Sequence, residues 1–108
     1  MHKQLAAIER KIARVKEQLQ GIGEMRPGSL TRQYQKPKQK KGGYYQISYT
    51  HHMKSRTEYV RADDVKQLRQ EVKTFKQFRN LVQTWTDLAL QHSQIKIEIA
   101  KRERNKPS

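Results

Sequence analysis

The chain has 108 residues, a formal net charge of +14 and 33% hydrophobic residues. This length allows one small domain, and the low apolar content excludes a large globular core but leaves room for a modest one or for a coiled-coil seam. The lack of cysteine excludes a disulfide framework and a thiolate metal site, and no apolar run approaches the roughly 20 residues that span a bilayer.

Residues 3–20 read as a helix. Leu5, Ile8, Ile12, Val15, Leu19 and Ile22 recur at alternating steps of three and four, a heptad seam on one stripe. Ala6, Ala7 and Ala13 add helix propensity. Gly21 and Gly23 end the helix, with Gly21 the candidate C-cap. Pro27 biases Arg26 away from helical backbone and Gly28 permits a positive φ, so Arg26-Pro27-Gly28-Ser29 reads as a turn.

The middle of the chain reads as a β-meander. The candidate strands are 30–34, 45–49 and 56–60. Tyr45, Ile47 and Tyr49 alternate with Gln46 and Ser48, which predicts that Tyr45 and Tyr49 enter the core beside Ile47. Residues 35–43, almost entirely Lys, Gln, Pro and Gly, read as the loop joining the first two strands. Tyr34 and Tyr44 flank it, either as a cross-strand pair or as rings free to stack on a base or sugar.

The last segment reads as a long helix. Asp63 and Asp64 stand where a helix start prefers acids. From Val65 to Ile99 the apolar residues advance by steps of three or four, and no Pro or Gly appears between Val65 and Lys106. The stripe widens from Phe75 to Leu90 and so requires more than one covering surface. The sheet is expected to pack near Phe75–Trp85, and the first helix to pair antiparallel with part of the last. The basic tail from Lys101 to Ser108 is expected to fray. The fold class is therefore α+β: an N-terminal heptad helix, a three-stranded antiparallel meander and a long C-terminal helix. The segments are 1–24, 25–61 and 62–108, in one domain. The uncovered remainder of the seam predicts a homodimer or a larger protein partner.

Charge gives the functional expectation. From Arg26 to Thr57 there is no Asp or Glu, while Arg26, Arg32, Lys36, Lys38, Lys40, Lys41, Lys54 and Arg56 all fall there. Such cations repel one another unless a partner supplies negative charge. Nucleic acid is the commonest such partner. These eight residues, with Tyr44, are the candidate binding residues. Lysines suit contacts to phosphate that carry no sequence code, and arginine can also read guanine. His51 and His52 are adjacent, are expected to point apart, and have no Asp or Glu nearby to complete a metal shell. No nucleophile stands at a recognisable spacing from a base and an acid, and Gly42-Gly43 is too short to cradle a phosphate. The reading is a cytoplasmic, non-catalytic protein without metal or cofactor. It binds nucleic acid, DNA favoured over RNA, through the phosphate backbone. An RNA-binding component and a helical protein-interaction adaptor are the alternatives; no membrane role is expected, because acids are mixed into the helices.

Three stretches carry a resemblance: Arg26-Pro27-Gly28-Ser29-Leu30, Gly43-Tyr44-Tyr45-Gln46-Ile47, and Arg56-Thr57-Glu58-Tyr59-Val60. Across about residues 26–90 the chain resembles a small bacterial family of unknown function with a PGSL start, a GxYY strand, an RTxYV strand and a long C-terminal helix. The resemblance implies proximity to mobile elements and transposase-like genes, hence a role accessory to a mobile-element or defence enzyme. Many sequences of that family carry a cysteine cluster in the loop matching 35–43. This chain has lysines there, which leaves the loop to electrostatics.

Overall fold

A computed structural model describes residues 1–36, 38, 39 and 41–106, with Lys41 described through its backbone alone. The elements are α1 (His2–Gln20), β1 (Ser29–Lys36), β2 (Lys41–His51), β3 (Lys54–Val60), a turn of 3-10 helix (Ala62–Asp64) and α2 (Val65–Arg104). The strands form one antiparallel sheet in the order β1-β2-β3. The fold is the α+β arrangement expected, with longer strands: backbone pairing continues past the apolar positions, because Ser, Thr, Gln and Tyr support a ladder as well. No described helix is long and apolar enough to cross a membrane. The chain divides into two compact units, 23–77 and a second formed by 1–22 with 78–108.

The sheet unit is built around Ile47, which is completely buried, with Val60, Val65 and Val72. Leu30, Tyr45 and Leu68 pack on this cluster. Fully burying an apolar side chain of this size contributes about 1.5–3 kcal/mol. The sheet therefore packs on the first two turns of α2, through Val65, Leu68 and Val72. The cause is the short link: Val60 ends β3 and Val65 begins α2, with only the 3-10 turn and Arg61 between. Gly28 closes the same core from the turn before β1. Its φ is +143°, and a Cβ there would lie 2.9 Å from Ile47 Cγ1. Only glycine permits both that backbone and that approach.

Strand register sorts every side chain to one of two faces. Ile47, Tyr45, Leu30 and Val60 share the core face, and Arg32, Tyr34, Lys36, Lys54 and Arg56 lie on it toward the strand ends. The opposite face carries Thr31, Gln33 and Gln35 from β1, Tyr44, Gln46, Ser48 and Thr50 from β2, and Ser55, Thr57 and Tyr59 from β3. None of these is charged. Ser48 bonds Thr57 at 3.1 Å and Thr50 bonds Ser55 at 3.0 Å across that face.

The helical unit pairs α1 antiparallel with the C-terminal part of α2. Ile8, Val15 and Leu88 are buried together, with Ile12, Leu19, Leu81, Trp85 and Ile95 packed around them. Near the start of α1, Gln4, Ala7 and Ile8 face Gln91, Gln94 and Ile95; near its end, Leu19 faces Phe78 and Val82. His92, a polar interruption on the stripe, meets Glu9 at 3.1 Å. At the end of α1 the Gly21 N–H donates to the Gln18 carbonyl and the Ile22 N–H to the Leu19 carbonyl; Gly21 has φ −84°, so the helix ends without a left-handed residue. Of the tail expected to fray, Lys101, Arg102 and Arg104 stand in the last turn of α2, where they complement the helix dipole, and Pro107 and Ser108 lie outside the described residues.

Candidate nucleic-acid interface

The two hairpins bring most of the candidate cations to the strand ends. β1 and β2 remain paired out to Lys36 opposite Lys41, and residues 37–40 join them. Lys38 and Gln39 form the described part of the turn, with the Gln39 N–H donated to the Lys36 carbonyl at 3.1 Å. Lys36 and Lys41 thus belong to strands, where a free loop had been expected. Lys40 lies outside the described residues. Lys36 and Lys38 are exposed.

Arg32 is held against the sheet by its neighbours. It stands opposite Tyr45 and two residues before Tyr34 on the same face. Its guanidinium lies 5.3 Å from the Tyr34 ring centroid and 5.7 Å from that of Tyr45. A Cβ on Gly43 would come within 2.9 Å of an Arg32 terminal nitrogen, so the glycine makes room for the guanidinium. Two rings and a bare backbone hold the group in place by cation–π attraction and shape. Among the described residues no carboxylate is ion-paired with it. It is exposed and free to offer its donors to an anion.

Arg26 is placed differently. Its guanidinium is ion-paired with Glu58 Oε2 at 2.7 Å and lies 5.3 Å from the Tyr49 ring centroid. The Tyr49 hydroxyl donates to Glu58 Oε1 at 2.8 Å, and the Arg26 backbone N–H donates to the Glu71 carbonyl at 3.1 Å. The hydrogen bond from Arg26, then that from Tyr49, holds the Glu58 carboxyl below the usual carboxylate range. The same bond to Glu58 pushes the Tyr49 phenol up. Tyr49 therefore joins a polar cluster at the end of the core face instead of the apolar core. Arg56, opposite Tyr49, and Lys54, opposite His51, continue the basic end of this hairpin and are both exposed.

Tyr34 and Tyr44 do not pair. Tyr34 lies opposite Gly43 and Tyr44 opposite Gln33, so they stand on opposite faces. Tyr44 stacks instead on Tyr59, with centroids 6.3 Å apart. His51 and His52 also depart from expectation: their ring centroids are 3.9 Å apart. His52 and Met53 both have left-handed φ, 51° and 63°. This tight turn brings the neighbouring rings together. Among the described residues no three of His, Asp or Glu gather as a metal site would require.

A family model matches residues 5–70, described as a domain of unknown function, DUF6788. The chain belongs to that family. The match begins within α1 and ends within α2, so it includes both hairpins and every candidate cation, while the rest of α2 lies beyond it. No curated protein and no solved structure matches the chain.

One basic feature escaped the reading of the sequence. Lys66, Arg69, Lys73 and Lys76 are all exposed on α2. Their spacing, i, i+3, i+7 and i+10, places them on one stripe of the helix. The signal was present as helical periodicity of charge, hidden by attention to the apolar stripe beside it.

Proposed function

We propose that the protein binds nucleic acid without catalysing a reaction on it, double-stranded DNA foremost, through contacts to the phosphate backbone. The observation that carries this reading is Arg32, a guanidinium held by Tyr34, Tyr45 and Gly43 with no carboxylate partner among the described residues. Ordering a long side chain ahead of contact lowers the cost of binding an anion. Lys36, Lys38, Lys54 and Arg56, exposed at the hairpin ends, extend the same chemistry. Arg26 serves the fold through Glu58 and contributes least. An association with mobile-element enzymes belongs to this proposal through the sequence resemblance alone.

The test is the salt dependence of binding. Changing Lys36, Lys38, Lys40 and Lys41 to Ala should flatten the slope of log K against log salt by about 3–4 for duplex DNA. The loss should be equal for unrelated sequences. Binding and slope equal to those of the parent would overturn the hairpin assignment. Competition among duplex DNA, single strands and structured RNA separates the DNA reading from the RNA one. The adaptor reading also has an observation behind it. An open apolar groove lies between α1 and α2, lined by Leu19, Phe78, Val82, Trp85 and Ala89. Absence of nucleic-acid affinity at physiological salt would favour it.

A further inference from the structure

We propose that the uncharged face of the sheet receives the unpaired bases of a nucleic-acid strand, so that the preferred ligand is a duplex carrying a single-stranded segment. This rests on the nucleic-acid reading above and adds the part of the ligand that phosphate contacts leave unspecified.

The argument begins with a charge anomaly. Charged residues make up 31% of the chain, yet none stands on this face across all three strands. A solvent-facing sheet in so basic a protein would ordinarily carry Lys and Glu, which keep it soluble and discourage edge pairing. Here it carries amides, hydroxyls and two rings. Tyr59 is 71% exposed and stacks against Tyr44, so the pair forms an aromatic shelf open to solvent. Every base has a π-face that such a shelf can take, whatever its identity. Gln33 and Gln46 beside it offer both donors and acceptors, which suits the edges of unpaired bases.

Charge complementarity selects this occupant. A nucleic-acid strand is neutral at its bases and anionic along its backbone. The sheet is neutral on this face, while Arg32 and Lys36 on β1 and Lys54 and Arg56 on β3 stand on the opposite face, on the two outer strands. A strand that lays its bases on the neutral face brings its phosphates to the sheet edges, where these long side chains meet them from the other side. The aromatic pair lies on the side of the sheet away from Ile47 and its cluster, so its rings can be removed without opening the core.

The experiment compares the full chain with Tyr44→Ala, Tyr59→Ala and the corresponding Phe variants. The probes are a blunt DNA duplex and the same duplex with a 12-nucleotide poly-dT overhang. The parent should bind the overhang form more tightly. Each Ala variant should lose that preference by on the order of 10-fold, Tyr59→Ala while keeping the parent's affinity for the blunt duplex, and each Phe variant should retain the preference. Equal parental affinity for both probes, or a preference that survives both Ala substitutions, would overturn the inference and leave the phosphate reading intact. Overhang binding with no blunt-duplex binding would overturn the duplex reading and support this one. A parent that binds neither probe overturns both. Binding to a neutral oligosaccharide at this face, or a dimer in light scattering that dissolves in Tyr59→Arg, would replace the proposed occupant.

Discussion

Gly28 and Ile47 constrain each other at atomic distance, and each predicts a different kind of loss. Gly28→Ala forces a left-handed residue with a side chain against Ile47, 2.9 Å away before any shift. The variant should lose about 1–3 kcal/mol of stability in urea titration. Ile47→Ala removes a completely buried large side chain and should lose about 2–5 kcal/mol. The PGSL sequence was legible as a turn, but the reason for its glycine was not, since Ile47 lies 19 positions away (47 minus 28). Arg26 shows the same limit: its partner, Glu58, falls just outside the acid-free block that made Arg26 look unpaired. The Glu58 cluster also predicts a pH dependence. Its carboxyl is held low in the folded chain, so the stabilisation is present above the unfolded carboxylate range and is lost as pH falls through the folded value. Tyr49 is shifted the other way, so its contribution is complete below the ordinary phenol range and is lost as pH rises past the raised value. Glu58→Gln should flatten the acid limb of a plot of melting temperature against pH. A limb as steep as the parent's would show that the cluster does not couple to folding.

Elements were easier to read than the way they meet. The heptad seam of α1 and the apolar stripe of α2 follow from regular spacing, and the strands from alternation. Register did not follow, because it depends on turn length. With Lys36 opposite Lys41, Tyr34 and Tyr44 fall on opposite faces; a slip of one residue would have made them opposite each other. Sequence alone therefore left open whether the aromatic residues form one cluster or two. The second hairpin turn is equally instructive. His52 and Met53 both adopt left-handed backbone, which two-residue hairpins demand and which Asn-Gly satisfies with less strain. Replacing His52-Met53 by Asn-Gly should raise stability by on the order of 1 kcal/mol. A lower urea midpoint in the Asn-Gly variant would mean that Met53, 97% exposed, or the His51–His52 contact stabilises the turn after all. In the helical unit, Val15→Asp would bury a charge among Ile8, Ile12 and Leu88 and should cost several kcal/mol. Amide exchange protection should then fall throughout α1.

At the scale of the molecule, a charge of +14 on 108 residues is a cost to the compact state that salt screens and a polyanion would neutralise. The cations are not spread evenly. The sheet unit holds the hairpin group, and it also holds the stripe of Lys66, Arg69, Lys73 and Lys76 along the first turns of α2. If both groups neutralise phosphates on one bound duplex, each releases its own counterions, and their contributions to the salt slope add. Changing the four residues of the stripe to Gln should flatten the slope by about 3–4, as expected of the hairpin variant, and the combined variant should flatten it by about 6–8. Helicity should hold, because Gln is nearly as good a helix former as Lys and Arg. A slope unchanged by the stripe variant would make that side of α2 a solvated face and confine binding to the sheet. A combined variant no flatter than either alone would mean that the two groups compete for the same phosphates. The additive result alone requires a binding surface that extends from the hairpins onto the helix, and that surface is larger than the acid-free block by which the sequence first drew attention.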